Sequence, residues 1–91
     1  MEVKRQSAFL DSVNSAENQA LTRWFRAQRM AQKVTMRQLG ERLCVPHSYI
    51  SKIENCQRRL DIVEFKRYCK ALKVDPHEAM RIVLRETPVE E

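Results

Sequence analysis

The 91-residue sequence has one glycine, three prolines and no long apolar run. So little glycine and proline leaves little room for a turn-rich β fold, and an all-helical fold is the natural alternative. No apolar stretch approaches the ~20 residues that cross a bilayer, so we expect no membrane partner. The opening residues MEVKRQSAFL lack the apolar core of a signal peptide, and the protein is therefore expected to be cytoplasmic.

Cysteine and histidine are arranged without the spacing of a metal or catalytic site. The three cysteines, at 44, 56 and 69, form no C-x-x-C pair, so neither a zinc ribbon nor a disulfide framework is expected. Neither His47 nor His77 has a carboxylate and a nucleophile at a useful spacing, and no glycine-rich phosphate loop is present. We therefore expect no enzyme activity, no cofactor and no metal, with the cysteines serving as small apolar residues.

Positive charge is unevenly distributed along the chain, whose formal net charge is +5. Residues 1–34 contain six Lys and Arg against three acids, and residues 35–59 contain five against two. Residues 60–91 are nearly balanced, with six basic against seven acidic side chains. This distribution suggests an anionic partner that contacts the first two-thirds of the chain.

Residues 35–54 contain two short helical patterns with almost no linker between them. Pro46 marks the break, and apolar side chains recur at helical spacing on either side of it, at Leu39, Leu43, Ile50 and Ile53. Gly40 is a small residue at which the two helices can touch. Two helices joined this tightly form a helix-turn-helix, whose second helix can enter a DNA major groove.

Capping signals predict where the five helices begin. Residues whose side chains accept hydrogen bonds from a first helical turn precede four of the helices, at Ser15, Thr35, Asp61 and Asp75. The third helix is expected to begin around Pro46. The first and fourth helices are expected to contribute apolar surface through Leu21, Trp24, Phe25, Met30, Ile62, Phe65, Cys69 and Leu72.

These helices define a single expected domain over residues 15–86. Residues 1–14 form an N-terminal arm, and residues 87–91 form a polar C-terminal tail. A short helix in the arm would pack on the domain through Phe9, Leu10 and Val13.

A set of residues in a fixed order links this chain to a known family. The set comprises Arg29, Gly40, Val45, the run Ile50-Ser51-Lys52-Ile53-Glu54-Asn55 and the ending Ala71-Leu72-Lys73-Val74-Asp75-Pro76. In this spacing, residues 21 to about 83 resemble the Cro/C1-type, or Xre, helix-turn-helix domain. The resemblance implies an all-α, five-helix, lambda-repressor-like fold and a sequence-specific regulator of transcription. It further suggests a homodimeric repressor or autoregulator that binds a palindromic operator in double-stranded DNA.

The chain departs from the family pattern where glycine is usual. The residues at those positions are Lys33, Cys44, Cys56 and Lys73. If the turns keep a left-handed backbone, each of these residues costs on the order of 1 kcal/mol. The alternative is that the turns are rebuilt, which would tilt the recognition helix.

The resemblance also implies roles for individual residues. The expected base readers are His47, Ser48, Lys52 and Tyr49, although Tyr49 has the alternatives of a phosphate contact or of packing on helix two. Lys pairs with guanine O6 or N7, Ser donates or accepts, and His donates to a purine acceptor. The expected phosphate contacts are Arg37, Arg42, Ser51, Asn55, Arg58 and Arg59. Arg29 and Glu54 are expected to form a salt bridge between helix one and the recognition helix.

Helix five has more apolar surface than a core-facing helix needs. Its apolar residues span about 200°, against the ~100° stripe that faces a core. Ala79 and Val83 are expected to face inward, which leaves Met80 and Leu84 on one flank and Ile82 on the other as a homodimer interface. The alternative is that these residues cover the open end of the domain.

The alternative function is an antitoxin-type module that binds its own operator and contacts a toxin through the N-terminal arm.

Overall fold

The computed structural model describes residues 12–85, which form a short 3₁₀ helix at Ser12–Asn14 followed by five α-helices. These are α1 (Ala16–Ala31), α2 (Met36–Leu43), α3 (His47–Glu54), α4 (Ile62–Leu72) and α5 (Pro76–Arg85). No strand occurs in the described part of the chain, so the expected all-α fold is confirmed. None of the five helices is both long and apolar enough to cross a membrane. Phe9, Leu10 and the tail at 87–91 lie outside the described residues.

Side-chain caps set the helix starts as the sequence predicts. Ser15 Oγ accepts a hydrogen bond from the first turn of α1. Thr35 and Asp61 do the same for α2 and α4, each within a reciprocal capping box. At α5, Asp75 Oδ1 accepts hydrogen bonds from the backbone N–H and the ring Nδ1 of His77. These hydrogen bonds lower the pKa of Asp75, and the one from the backbone has the largest effect. α3 has no side-chain cap because Pro46 occupies its N-cap position.

The four turns in which glycine is usual keep a left-handed backbone without it. The angle φ is 59° at Lys33, 60° at Cys44, 58° at Cys56 and 59° at Lys73. In this region Cβ crowds the following carbonyl group, which costs roughly 1–2 kcal/mol per residue. The alternative of rebuilt turns is therefore wrong, and the chain carries this strain at four places.

Gly40 permits the close approach of α2 and α3. The backbone N–H of Val45 donates to the carbonyl oxygen of Gly40 over 2.9 Å. A Cβ at position 40 would lie 2.6 Å from the carbonyl oxygen of Val45, which is too close for any real side chain. Because the obstacle is backbone, it cannot rotate away. Only glycine at position 40 therefore allows α3 to leave the turn in this direction.

The hydrophobic core is centred on Phe25 of α1. Its ring lies against Tyr68 and Phe65, with centroid separations of 4.7 Å and 6.3 Å. Every other helix contributes fully buried aliphatic side chains, namely Leu39, Ile50, Ile53, Leu72 and Ala79. Burying one such large side chain stabilises the fold by about 1.5–3 kcal/mol. All five helices are therefore held by one core.

Two core expectations need correction, and one core residue was not predicted. Ile62 is 70% exposed and Met30 is 56% exposed, although the helical pattern predicts apolar contacts for both. Both lie at helix ends, Ile62 at the start of α4 and Met30 at the end of α1, where the helix extends beyond the core. Conversely, the pattern does not predict Tyr68, which is 1% exposed because its ring packs on Phe25. Burial raises the pKa of its hydroxyl group.

Replacing Lys73 by glycine should stabilise the protein by about 0.5–1 kcal/mol. The change removes left-handed strain of roughly 1–2 kcal/mol, offset by ~0.4–1 kcal/mol of added freedom in the unfolded chain. The matched control is Lys66→Gly, because Lys66 is an exposed lysine within α4. That control should lower stability by roughly 0.5–1 kcal/mol. Urea unfolding measures both, and equal losses at the two positions would contradict the strain argument.

Candidate nucleic-acid interface

α3 presents a polar face to solvent, opposite the residues that hold it to the core. Ile50 and Ile53 are fully buried. At about 100° per residue, the side chains on the other face of the helix are His47, Ser48, Ser51, Lys52 and Asn55. Three of the expected base readers, His47, Ser48 and Lys52, are exposed on this face. They are brought together there by helical spacing alone.

The expected phosphate contacts lie in different surroundings. Arg37 is exposed in the first turn of α2. Asn55 Nδ2 donates to Ser51 Oγ over 3.2 Å, so these two side chains share one patch. Arg59 is exposed in the loop after α3 and donates to Ser12 Oγ over 3.1 Å. Ser51 and Asn55 therefore belong to the polar face of α3 itself, whereas Arg37 and Arg59 are exposed on the adjoining α2 and loop.

Arg42 is engaged within the domain. Its Nη1 donates to the carbonyl oxygen of Ala71 over 2.7 Å, at the end of α4. Carbonyl groups at the end of a helix lack helical partners and carry partial negative charge, which a cation stabilises. Arg42 therefore joins α2 to α4 in addition to any contact that it makes outside the domain.

Tyr49 is directed to α4 and away from the polar face of α3. Its hydroxyl donates to Glu64 Oε2 over 3.2 Å and accepts from Arg58 Nη2 over 2.7 Å. The residue is half-buried and packs against the core. The Tyr49 hydroxyl is thus directed to Arg58 and Glu64, whereas His47, Ser48 and Lys52 lie on the polar face.

Arg58 completes a three-residue cluster with Tyr49 and Glu64. Its Nη2 lies 2.7 Å from Glu64 Oε2, and its guanidinium carbon lies 4.5 Å from the centre of the Tyr49 ring. Such a contact with the face of an aromatic ring attracts a cation. The hydrogen bond with Tyr49 and, to a smaller extent, the charge of Glu64 raise the pKa of Arg58. Sequence reasoning identified Arg58 but missed Glu64, whose visible signal was its place in the capping box that begins at Asp61.

Arg29 and Glu54, expected to join helix one to the recognition helix, meet in a buried two-contact ion pair. Nε and Nη2 of Arg29 lie 2.6 Å and 3.1 Å from the two carboxylate oxygens. The side chains are only 10% and 2% exposed. Nη1 donates to the carbonyl oxygen of Val34 over 2.9 Å. The hydrogen bond to Glu54 outweighs burial and raises the pKa of Arg29.

The cysteines show no arrangement for metal binding. Within residues 12–85, no group of three or more His, Cys, Asp and Glu side chains is placed to hold a metal ion. Cys69 is buried, and burial raises the pKa of its thiol to about 11. Cys56 is half-buried with its sulfur 3.4 Å from Thr22 Oγ1, and Cys44 is exposed. All three are free thiols.

The outer side of α5 is partly apolar. Ala79 is fully buried, as the pattern predicts, and Val83 is half-buried. Leu84 is 66% exposed. Met80 and Ile82 are half-buried, and Met80 packs against the core from its side of the helix. Leu84 is thus the most accessible of the expected dimer residues.

Comparison with known proteins agrees with this geometry. A helix-turn-helix family model matches residues 25–78. An XRE-family like protein from Pseudomonas syringae pv. tomato str. DC3000 is 34% identical, with 90% of this chain and 100% of that chain covered and a TM-score of 0.75. The clp gene regulator ClgR from C. glutamicum has the same fold at 21% identity, with 85% and 100% covered and a TM-score of 0.70. No curated protein matches the chain.

Removing one member of the buried ion pair should cost about 3–5 kcal/mol, because the other charge is left unpaired in the interior. Arg29→Met and Glu54→Gln should therefore each destabilise strongly, while the double variant loses much less than the sum. A double-mutant cycle on urea unfolding measures the coupling. The control is His77→Gln, which breaks an exposed pair with Asp75 and should change stability by ~0–1 kcal/mol. Additive losses at 29 and 54 would contradict the coupling.

Proposed function

The chain belongs to the Cro/C1-type, or Xre, helix-turn-helix family, and from this premise we propose that it regulates transcription by binding a specific operator with α3. The observation that carries the proposal is the exposed polar face of α3, fixed from behind by Ile50, Ile53 and the Arg29–Glu54 pair. A helix held in this way can enter a major groove without rearranging. The fold is typical of regulators that are not enzymes. Because such a regulator must reach DNA, we also propose a cytoplasmic location.

We assign base reading to His47, Ser48 and Lys52. All three are exposed near the start and middle of α3, and each has suitable hydrogen-bonding chemistry. Phosphate contacts are assigned to the surrounding residues Arg37, Ser51, Asn55, Arg58 and Arg59. Arg42 is a weaker member of this set, because its Nη1 is held by the carbonyl oxygen of Ala71 while the residue remains exposed.

We further propose a homodimeric repressor or autoregulator that binds a palindromic operator. A two-fold pair presents two recognition helices about 34 Å apart, one turn of DNA. The surface assigned to this contact is the exposed Leu84 with Met80 on the same flank of α5, together with Ile82 on the opposite flank. The antitoxin alternative depends on Phe9, Leu10 and Val13. Of these, the structure describes only Val13, which is half-buried. The regulator is the function proposed because the exposed polar face of α3 supports it directly.

Alanine at His47, Ser48 or Lys52 should relax sequence preference, because each good base contact contributes about 1–3 kcal/mol of discrimination. Arg37→Ala should instead weaken all DNA alike and reduce the salt slope by about 1. Binding-site selection and affinity measurements at several salt concentrations distinguish these effects. Lys66→Ala, which removes one charge from the exposed side of α4, is the control. If all three α3 variants select the wild-type sequence, the base-reading assignment is wrong.

Leu84→Glu should give a monomer that binds half-sites weakly, because a charge would be placed in an apolar contact. Light scattering measures the mass, and binding to full and half operators measures the consequence. Arg85→Glu changes the adjacent exposed residue and should leave the dimer intact. A wild-type monomer at high micromolar concentration that has full operator affinity would rule out this dimer.

A further inference from the structure

The guanidinium of Arg58 is held on one side and available on the other. Nη2 makes both hydrogen bonds of the group, to the Tyr49 hydroxyl and to Glu64 Oε2, each over 2.7 Å. Within residues 12–85, no hydrogen bond uses Nη1. The side chain remains 40% exposed. Nε is buried without a partner among these residues, so Nη1 is the donor left for a group outside the domain. Arg58 therefore combines a fixed orientation with an unused Nη1 on a partly exposed side chain.

Glu64 is itself fixed by the start of α4. Its Oε1 accepts from the backbone N–H of Asp61 over 2.9 Å, and its own N–H donates to Asp61 Oδ1 over 2.8 Å. The remaining oxygen, Oε2, holds Arg58 and Tyr49. The capping box thus holds the Glu64 carboxylate in place, and the carboxylate in turn orients Arg58, which lies outside the helix.

The cluster borders the polar face of α3 on the side nearest α4. Tyr49 follows Ser48 and precedes Lys52 by about one helical turn, so it lies beside both proposed base readers. DNA phosphates flank the bases that a recognition helix reads. The free side of Arg58 is therefore at the edge where a phosphate would pass when α3 occupies the groove.

We propose that Glu64 is a positioning residue for DNA binding, which orients Arg58 so that the free side of its guanidinium meets a DNA phosphate. The inference rests on the function proposed above. It is physically distinctive because a carboxylate near DNA repels the phosphates, so charge alone predicts that Glu64 weakens binding. An arginine held in advance loses less rotamer freedom when it binds, and orientation thus opposes that repulsion.

The sign of one substitution separates positioning from repulsion. Glu64→Gln keeps an oxygen that can accept from the Asp61 N–H but removes the negative charge that attracts Arg58. Positioning predicts binding weaker by roughly threefold to tenfold and a salt slope smaller by up to about 0.9, the value for one phosphate contact. Glu41→Gln is the control, since Glu41 is an exposed acid of α2 and its loss should tighten binding slightly. Fluorescence anisotropy with a duplex selected by the wild-type protein measures both quantities.

The dependence on Arg58 is tested in a second background. In Arg58→Gln protein, Glu64→Gln should no longer weaken binding and should act like Glu41→Gln, because no arginine remains to be oriented. Tyr49→Phe keeps the ring but removes the hydroxyl that also holds Arg58, and it should weaken binding in the same direction with a smaller change. Circular dichroism and thermal unfolding establish that each variant is folded at the assay temperature.

The outcomes are distinguishable. The positioning role is overturned if the wild-type protein binds the duplex and the Glu64→Gln variant binds it equally well or more tightly. It is also overturned if the variant binds more weakly but with an unchanged salt slope. An equal loss from Glu64→Gln in the Arg58→Gln background would also overturn it. If the wild-type protein selects no duplex at all, the proposed function itself fails, whatever the variants do.

Discussion

The buried ion pair between Arg29 and Glu54 is the contact on which the position of α3 depends. α3 has eight residues, and isolated helices shorter than about 12–15 residues are marginal in water. Its geometry must therefore come from the surrounding protein. One guanidinium contacts the last residue of α3 and the Val34 carbonyl in the loop before α2, while belonging to α1 itself. Arg29 thus joins α1 to the end of α3, 25 residues further along the chain, and to the loop before α2.

Two further constraints act elsewhere on the same helix. At its start, Gly40 allows the α2–α3 turn to close, because no Cβ opposes the carbonyl of Val45. On its α4 side, Tyr49 is held by Arg58 and Glu64. Steric fit, aromatic contact and a buried ion pair therefore restrain different points of a short helix. With restraints at both ends, α3 can neither slide along its axis nor tilt without breaking one of them.

The sequence predicted the features that depend on neighbouring residues. Ser15, Thr35, Asp61 and Asp75 cap their helices because a cap needs only its own first turn. The helix-turn-helix was predictable for the same reason, since Gly40 and the apolar spacing around the turn are local signals. The polar face of α3 follows from helical periodicity and needed no knowledge of the other helices.

Features that depend on tertiary packing were not predictable in this way. Ile62 continues the apolar pattern of α4, but its exposure is decided by where α4 leaves the core. Tyr68 carries a hydroxyl group that conceals a core role, and only the position of Phe25 reveals it. The cluster of Tyr49, Arg58 and Glu64 joins residues from α3, a loop and α4, so no spacing in the sequence predicts it.

The two ion pairs beside α3 respond differently to salt. Arg29 and Glu54 are buried, so mobile ions cannot screen them effectively, whereas Arg58 and Glu64 are partly exposed and weaken as the screening length falls below about 8–10 Å. The α1 side of α3 therefore keeps its position over a wide range of ionic strength. On the α4 side, the packing of Tyr49 against the core persists when the charge contact is screened.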